Sequence, residues 1–289
     1  MKEKISIKTK LILLTGVILW ASAFAGIRAG LEGYTPGALA LLRFLIASVC
    51  MLIMHSFISK KIPITWRDRG ILLLIGLLGL GVYNIALNHG ELEVSSGIAS
   101  FIVSLSPLVS LIFALIFLHE SITPGMVVGM LISVLGVGLI MLGKTNHFSL
   151  QSGFFDVVIA MIVGGFFSVM QKPFLRKYHA IEVTAYIIWG ATIFLAVYTP
   201  QLLNNIHTAS LHATAAVVYL GIFPAAAGYI AWSYALKEMP VAQAVNYLYF
   251  LPIIATIIGW LWLGEIPPWI SLLGGLVALL GVWIVGRSK

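Results

Sequence analysis

Apolar stretches of about 20 residues, the length a helix needs to cross the hydrocarbon core of a bilayer, alternate along this chain with short polar breaks. The pattern predicts ten helices, at about 11 to 30, 36 to 58, 69 to 89, 95 to 118, 123 to 142, 153 to 174, 181 to 200, 212 to 235, 240 to 263 and 268 to 286. Lys60-Lys61-Ile62-Pro63, Lys144-Thr145-Asn146-His147, Asn204-Asn205-Ile206-His207 and Pro267-Pro268 supply breaks. The expected fold class is therefore an all-α integral membrane protein with ten transmembrane helices. Connections this short leave no room for a soluble catalytic domain, so the work of the molecule is done within or across the membrane.

The second half of the chain echoes the first. Gly76, Pro107, Leu118, Glu120, Gly129, Gly136 and Val137 recur as Gly221, Pro252, Leu263, Glu265, Gly274, Gly281 and Val282, each 145 positions later. The division predicted is residues 1–145 as a first repeat and residues 146–289 as a second, with five spans in each. An odd number of spans per copy makes the two copies insert with opposite orientation, and inverted repeats are a mark of carriers.

Composition agrees with the bilayer as solvent. Sixty per cent of residues are hydrophobic and 9% charged, with mean hydropathy +1.05. The net charge of +7 does not point to nucleic acid, because the basic residues sit in short loops and form no aromatic-interleaved patch. By the positive-inside rule, a cytoplasmic N-terminus places Lys2, Lys4, Lys8, Lys10, Lys60, Lys61, Arg67, Arg69, Arg176, Lys177, Lys237, Arg287 and Lys289 inside. Only Lys144 and Arg28 then fall outside. A multi-pass protein of the cytoplasmic (inner) membrane, with both termini cytoplasmic, is expected. The lone Cys50 allows no intrachain disulfide and no cysteine-based metal site, and no cofactor or metal is expected.

Two local patterns mislead. Lys2 to Lys10 followed by Ala21-Ser22-Ala23 resembles a cleavable leader, but the apolar run continues through Phe24 and Ile27 to Ala29 and is needed as a span. Gly138 to Thr145 matches GxxxxGK[ST]. That phosphate cradle needs a flexible glycine turn between strand and helix, whereas the Leu-Ile-Met-Leu inside it is the end of a membrane helix.

Ile18-Leu19-Trp20-Ala21-Ser22-Ala23-Phe24, Ala38-Leu39-Ala40-Leu41-Leu42-Arg43-Phe44, Pro107 followed by Leu118-His119-Glu120, and Pro252 followed by Leu263-Gly264-Glu265 resemble the EamA-type transporters of the drug/metabolite transporter superfamily. The resemblance spans the whole chain. It implies a carrier of small organic molecules, often an exporter of amino acids or other metabolites. Helices 1 to 4 and 6 to 9 would enclose a central cavity, and helices 5 and 10 would lie at the periphery, often in a homodimer contact. The chain departs from the repeat at Val183 to Gly190, where the partner of the Arg43 region has no arginine, so the role of Arg43 is asymmetric.

A carrier needs polar groups on otherwise apolar helices, and those sharing a face are the candidates. Asn84 and Asn88 stand four apart, with Glu91 beyond; Ser96, Ser100 and Ser104 repeat every four residues. The eighth helix offers Tyr229, Trp232 and Ser233, and the ninth Gln243, Asn246, Tyr247 and Phe250 at helical spacing. The repeat aligns Asn84 with Tyr229 and Asn88 with Ser233. The expected small-molecule substrate site is Trp20, Phe24, Arg43, Tyr83, Asn84, Asn88, Ser100, Tyr229, Trp232, Ser233, Gln243, Asn246 and Tyr247. Hydrogen bonding between packed helices is the competing role for the serines and amides, and interfacial packing for the aromatics. A lining rich in aromatics and amides leans toward amino acids or heterocyclic metabolites.

Arg43 lies within a span, where a cation costs roughly 2.5 to 3.5 kcal/mol on insertion scales. It therefore faces the bundle interior, either to attract a substrate carboxylate or to fix a helix contact. Pro107 and Pro252 each remove a backbone donor in mid-helix and act as hinges or as static kinks. Glu120 and Glu265, at the ends of the fourth and ninth helices, are candidate gates or caps. His89 and Asp156 are candidates for proton coupling. Lys172 and Arg28, near helix ends, are expected to snorkel to the interface. The small-residue spacings Gly125, Gly129, Ser133 and Ser271, Gly275, with Gly274 and Gly281, suit close packing, either in a homodimer or within one chain. The alternative to a carrier is an integral membrane enzyme or flippase acting on lipid-like substrates. Catalysis would need a polar cluster such as HExxH, and His119-Glu120 lacks the second histidine.

Overall fold

The computed structural model describes residues 5–58, 63–94, 96–120, 122–144, 152–263 and 269–288. The described residues form helices joined by short turns, with no strand among them. In chain order these are α1 (Ile7–Leu31), α2 (Pro36–Ser56) and α3 (Trp66–Glu93). α4 comes in two pieces (Ser96–Val103 and Ser106–Leu118), with α5 (Pro124–Lys144) and α6 (Gly153–Leu175) after it. The second half holds α7 (Ala180–Ile206), α8 (Leu211–Glu238), α9 in three consecutive pieces (Val241–Val245, Asn246–Phe250 and Leu251–Leu263) and α10 (Trp269–Arg287).

Seven of these helices are long and apolar enough to cross a membrane, and α5, α9 and α10 hold shorter apolar stretches at Pro124–Leu139, Val241–Ala255 and Leu272–Val285. Their outward faces carry large apolar side chains such as Ile112, Leu135 and Leu276. Lipid can cover such a surface; water cannot do so without heavy cost. The molecule is a multi-pass membrane protein. Glu265, the candidate partner of Glu120, lies outside the described residues.

Local chemistry starts the helices. The side chains of Thr65 and Ser210 each accept a hydrogen bond from a backbone N–H three residues on, that of Asp68 or Ala213, and so cap α3 and α8. These two caps stand 145 residues apart. So do the starts of two wider-wound stretches, since α3 passes through a π-helix at Gly76–Val82 and α8 through another at Gly221–Gly228. In α8, Pro224 lies inside the stretch and cannot donate to the helical ladder. In α3, a Cβ added at Gly76 would meet the backbone of Ile187, and one added at Gly190 would meet the backbone of Leu73. The backbones of α3 and α7 therefore approach more closely than any side chain permits.

α4 breaks at Ser104-Leu105, where two residues in turn conformation part its segments, and Pro107 sits in the first turn of the second piece. α9 tightens to a 3₁₀-helix at Asn246–Phe250 and resumes as an α-helix with Pro252 in its first turn. A proline is tolerated there because its missing N–H would have no intrahelical partner. α4 ends at His119, whose left-handed backbone (φ 50°) terminates the helix.

α5 and α10 pack against each other. A Cβ at Gly129 would meet the Gly281 carbonyl, and one at Gly136 the Gly274 carbonyl. Of the small residues that suited a dimer surface, Gly129, Ser133, Gly274 and Gly281 are thus engaged between two helices of one chain.

Candidate functional site

A cavity opens among the helices, with about 650 Å³ of empty space when its solvent-open mouth is included. α1 contributes Trp20, Ala23, Phe24 and Ile27; α2 contributes Arg43; α3 contributes Gly79, Leu80, Tyr83 and Leu87. Gly164, Phe167 and Ser168 of α6 and Tyr229 of α8 complete one side. The broken helices supply Val103 and Ser106 from α4 and Leu248 and Leu251 from α9. Leu248 and Leu251 stand 145 positions after Val103 and Ser106, so the two interrupted helices place corresponding positions on the wall.

The wall is aromatic and ordered. Trp20 packs edge-on against Tyr229 at 5.2 Å and tilted against Trp232 at 5.1 Å, and Phe167 meets Tyr229 edge-on at 5.8 Å. Such ring pairs are worth roughly 0.5–1.5 kcal/mol each beyond their burial. The Trp20 indole donates to the carbonyl of Pro224 (3.1 Å), a carbonyl inside the π-helical stretch of α8. Local winding of α8 thus fixes a ring of α1.

Arg43 is 3% exposed. Its Nη1 donates to Asn84 Oδ1 at 2.9 Å, and Asn84 Nδ2 donates to the Leu80 carbonyl one turn earlier at 2.8 Å. Asn84 therefore stands behind the arginine rather than on the wall.

The other candidates divide by position. Trp20, Phe24, Arg43, Tyr83 and Tyr229 meet at the cavity. Asn88 donates to the Pro36 carbonyl (3.1 Å), Ser100 is buried, and Trp232 is buried beneath Trp20. Ser233 lies in a buried chain, accepting from Thr184 (2.8 Å) and donating to Gln171 (3.0 Å). Asn246 donates to the Val282 carbonyl of α10 (3.1 Å), Tyr247 packs on Phe250, and Gln243 is half-buried off the wall. Ser106, Ser168, Phe167, Leu248 and Leu251 line the cavity without having been expected there. The leucines are the repeat partners of Val103 and Ser106, apolar or small positions that a search for shared polar faces passes over.

Charged groups gather at the two ends of the bundle. At one end the Glu120 carboxylate accepts from the backbone N–H groups of Val241 (3.1 Å) and Ala242 (3.3 Å), capping the first turn of α9. Close by, Lys172 does not snorkel: it is 5% exposed and donates to the carbonyls of Leu236 and Met239 at the end of α8. Burial is favoured because those carbonyls have no partner within their helix. Tyr178 donates to Asp68 (2.7 Å), with Lys177 3.5 Å from the same carboxylate. At the other end Arg28 donates to the Glu91 carbonyl (2.8 Å), and Gly153 N donates to Glu93 (2.7 Å). His89 and Asp156 form a 2.7 Å pair there, with His89 exposed. That pair joins α3 to α6 and lies off the cavity wall.

Comparison with known proteins gives a consistent picture. The chain matches the EamA-like transporter family twice, over residues 7–142 and again over residues 151–287. It is 34% identical to a "Probable terminal-alkyne amino-acid exporter" of Streptantibioticus cattleyicolor, over 95% of this chain and 92% of that protein. It is 39% identical to the "Uncharacterized transporter YdfC" of Bacillus subtilis, over 97% and 91%. A solved crystal structure shares the fold, with a TM-score of 0.78 across 97% of this chain and 98% of the other at 19% identity.

Proposed function

Because the chain belongs to the EamA-like transporter family, we propose that it is a secondary carrier exporting a small organic metabolite, an amino acid or related compound, by alternating access. In this reading ten spans form two inverted five-helix repeats, residues 1–145 and 146–289, in the cytoplasmic membrane with both termini inside. The observation that carries it is the cavity wall, where the broken helices α4 and α9 present Val103 and Ser106 together with their repeat partners Leu248 and Leu251. A site built from corresponding positions of two antiparallel halves can be opened to either side by rocking one half against the other. The lysines and arginines of the Lys172, Lys177 and Lys237 end support the inward placement of that end. Pro107 and Pro252 serve as hinges, Glu120 and Lys172 as an inner gate, and the outward faces of α5 and α10 remain for lipid or a second copy.

The amino-acid class is supported by the relative named as an amino-acid exporter and by an arginine set in an aromatic wall. Purified protein reconstituted in liposomes should show saturable counterflow with an amino acid from a labelled panel of amino acids, purines and polyamines. Flux that does not saturate would instead mean a channel, and turnover of lipid across the bilayer a flippase.

A further inference from the structure

The Arg43 guanidinium carries five N–H donors in a planar fork, and within the described residues it makes one hydrogen bond, from Nη1 to Asn84. Nε is buried without a hydrogen-bond partner. In the fork, Nε and Nη2 share one edge, and Nη1 lies away from it. That edge has the geometry to hold both oxygens of a carboxylate through two parallel N–H···O bonds, on a residue that lines the cavity. Asn84, itself anchored to the Leu80 carbonyl, clamps the arginine from behind and sets the plane of that edge.

The rest of the wall gives nothing comparable for a cation. Among the described residues lining the cavity there is no aspartate or glutamate. Glu91, the acid whose field reaches Arg43, is not on the wall. A ligand ammonium would find neutral hydroxyls and ring faces in the neighbourhood of a guanidinium that repels it.

We propose that this cavity recognises a carboxylate and an apolar body and does not require an amine, so that its ligands are small apolar monocarboxylates. A zwitterionic amino acid and the deaminated acid of the same skeleton would both bind. This deepens the carrier reading, on which it rests for the cavity being the substrate site.

The test uses the purified wild-type protein in detergent at neutral pH and three compounds of one skeleton: L-leucine, 4-methylpentanoate and 3-methylbutylamine. Thermal unfolding is tracked against ligand concentration, since a ligand of the folded state raises the midpoint. Leucine and 4-methylpentanoate should bind within about tenfold of each other, and the amine should give no shift at a concentration about tenfold higher. Arg43→Lys, which keeps the charge but loses the fork, should weaken both acids by about tenfold or more. The wild-type comparison stands even if that variant fails to fold. Equal binding of the amine, binding of leucine with none of 4-methylpentanoate, silence from all three, or unchanged acid binding in a folded Arg43→Lys protein each overturns the proposal. Leucine counterflow in liposomes without acid selectivity would retire the carboxylate reading and leave the carrier. Acid-selective binding without counterflow of any solute would do the reverse.

Discussion

Ser133 donates a 3.1 Å hydrogen bond to the carbonyl of Ala278, the residue 145 positions further along the chain. A contact between two repeat-related positions is what a local two-fold axis between α5 and α10 produces, and the glycines repeat the relationship. The pair Gly129 and Gly281 maps onto Gly274 and Gly136 under the same offset, and in each pair an added Cβ would meet the opposing carbonyl. Substituting Gly136 with Ala should therefore cost about 1–3 kcal/mol, the usual range for overpacking. Gly138, where an added Cβ meets nothing within 4 Å, is the control. The thermal midpoint in detergent should fall for Gly136→Ala and hold for Gly138→Ala.

Glu120 and Lys172 act on adjacent ends of two helices, the carboxylate on the start of α9 and the ammonium on the end of α8. Removing a cap costs about 1 kcal/mol, enough to shift a conformational equilibrium about fivefold. If this end is a gate, Glu120→Ala and Lys172→Met should both open it. A cysteine placed at Ser168, on the cavity wall, in a protein whose Cys50 is replaced by Ala, should then react several times faster with a polar thiol reagent offered from that end. Lys172→Met should also lower the thermal midpoint, because it leaves the carbonyls of Leu236 and Met239 without the donor they share.

Much of this was legible in the sequence, because a bilayer imposes a length on every apolar run and a repeat imposes a partner on every position. Trp20 and Phe24 of the candidate site were legible too, since both lie on the uninterrupted helix α1. The polar face expected on the ninth helix was not. Gln243, Asn246 and Tyr247 share a face only at 3.6 residues per turn. Asn246–Phe250 winds as a 3₁₀-helix with three residues per turn, so Leu248 and Leu251 reach the cavity and Asn246 turns to α10. The π-helical stretch of α8 similarly re-phases the turns beyond it, and Ser233 points to Gln171. Lys172 was misplaced for another reason: spacing marks a helix end but not the carbonyls of a neighbouring helix that end beside it.

Gly79 and Gly164 keep the cavity open. A Cβ at Gly79 would lie 3.0 Å from the Phe167 side chain, and one at Gly164 would lie 3.1 Å from the Tyr83 ring. Leucine at Gly79 should fill space that a substrate needs. Counterflow should be lost while the protein still purifies as a folded species, and Gly70→Leu, where an added Cβ meets nothing within 4 Å, should transport normally. Normal counterflow in Gly79→Leu would mean that the substrate path runs elsewhere.

Pro107 and Pro252 mark where α4 and α9 would bend during transport. Both prolines stand in the first turn after an interruption, at Ser104-Leu105 and at Asn246–Phe250, and each interrupted stretch carries cavity residues just beside it. Alanine restores a donor and relaxes the restriction that proline places on the residue before it, so either substitution lets the helix run more continuously through the break. A static kink would survive as packing, and alanine would then alter stability without touching the transport cycle. A hinge would stiffen: Pro107→Ala and Pro252→Ala should each raise the thermal midpoint or leave it unchanged, leave substrate affinity within about twofold, and slow counterflow by about tenfold, the effect of about 1.4 kcal/mol on a barrier. The double variant should be slower than either single one, because both helices must bend for the cavity to change sides. Counterflow at the wild-type rate in the double variant would assign both prolines to the static architecture.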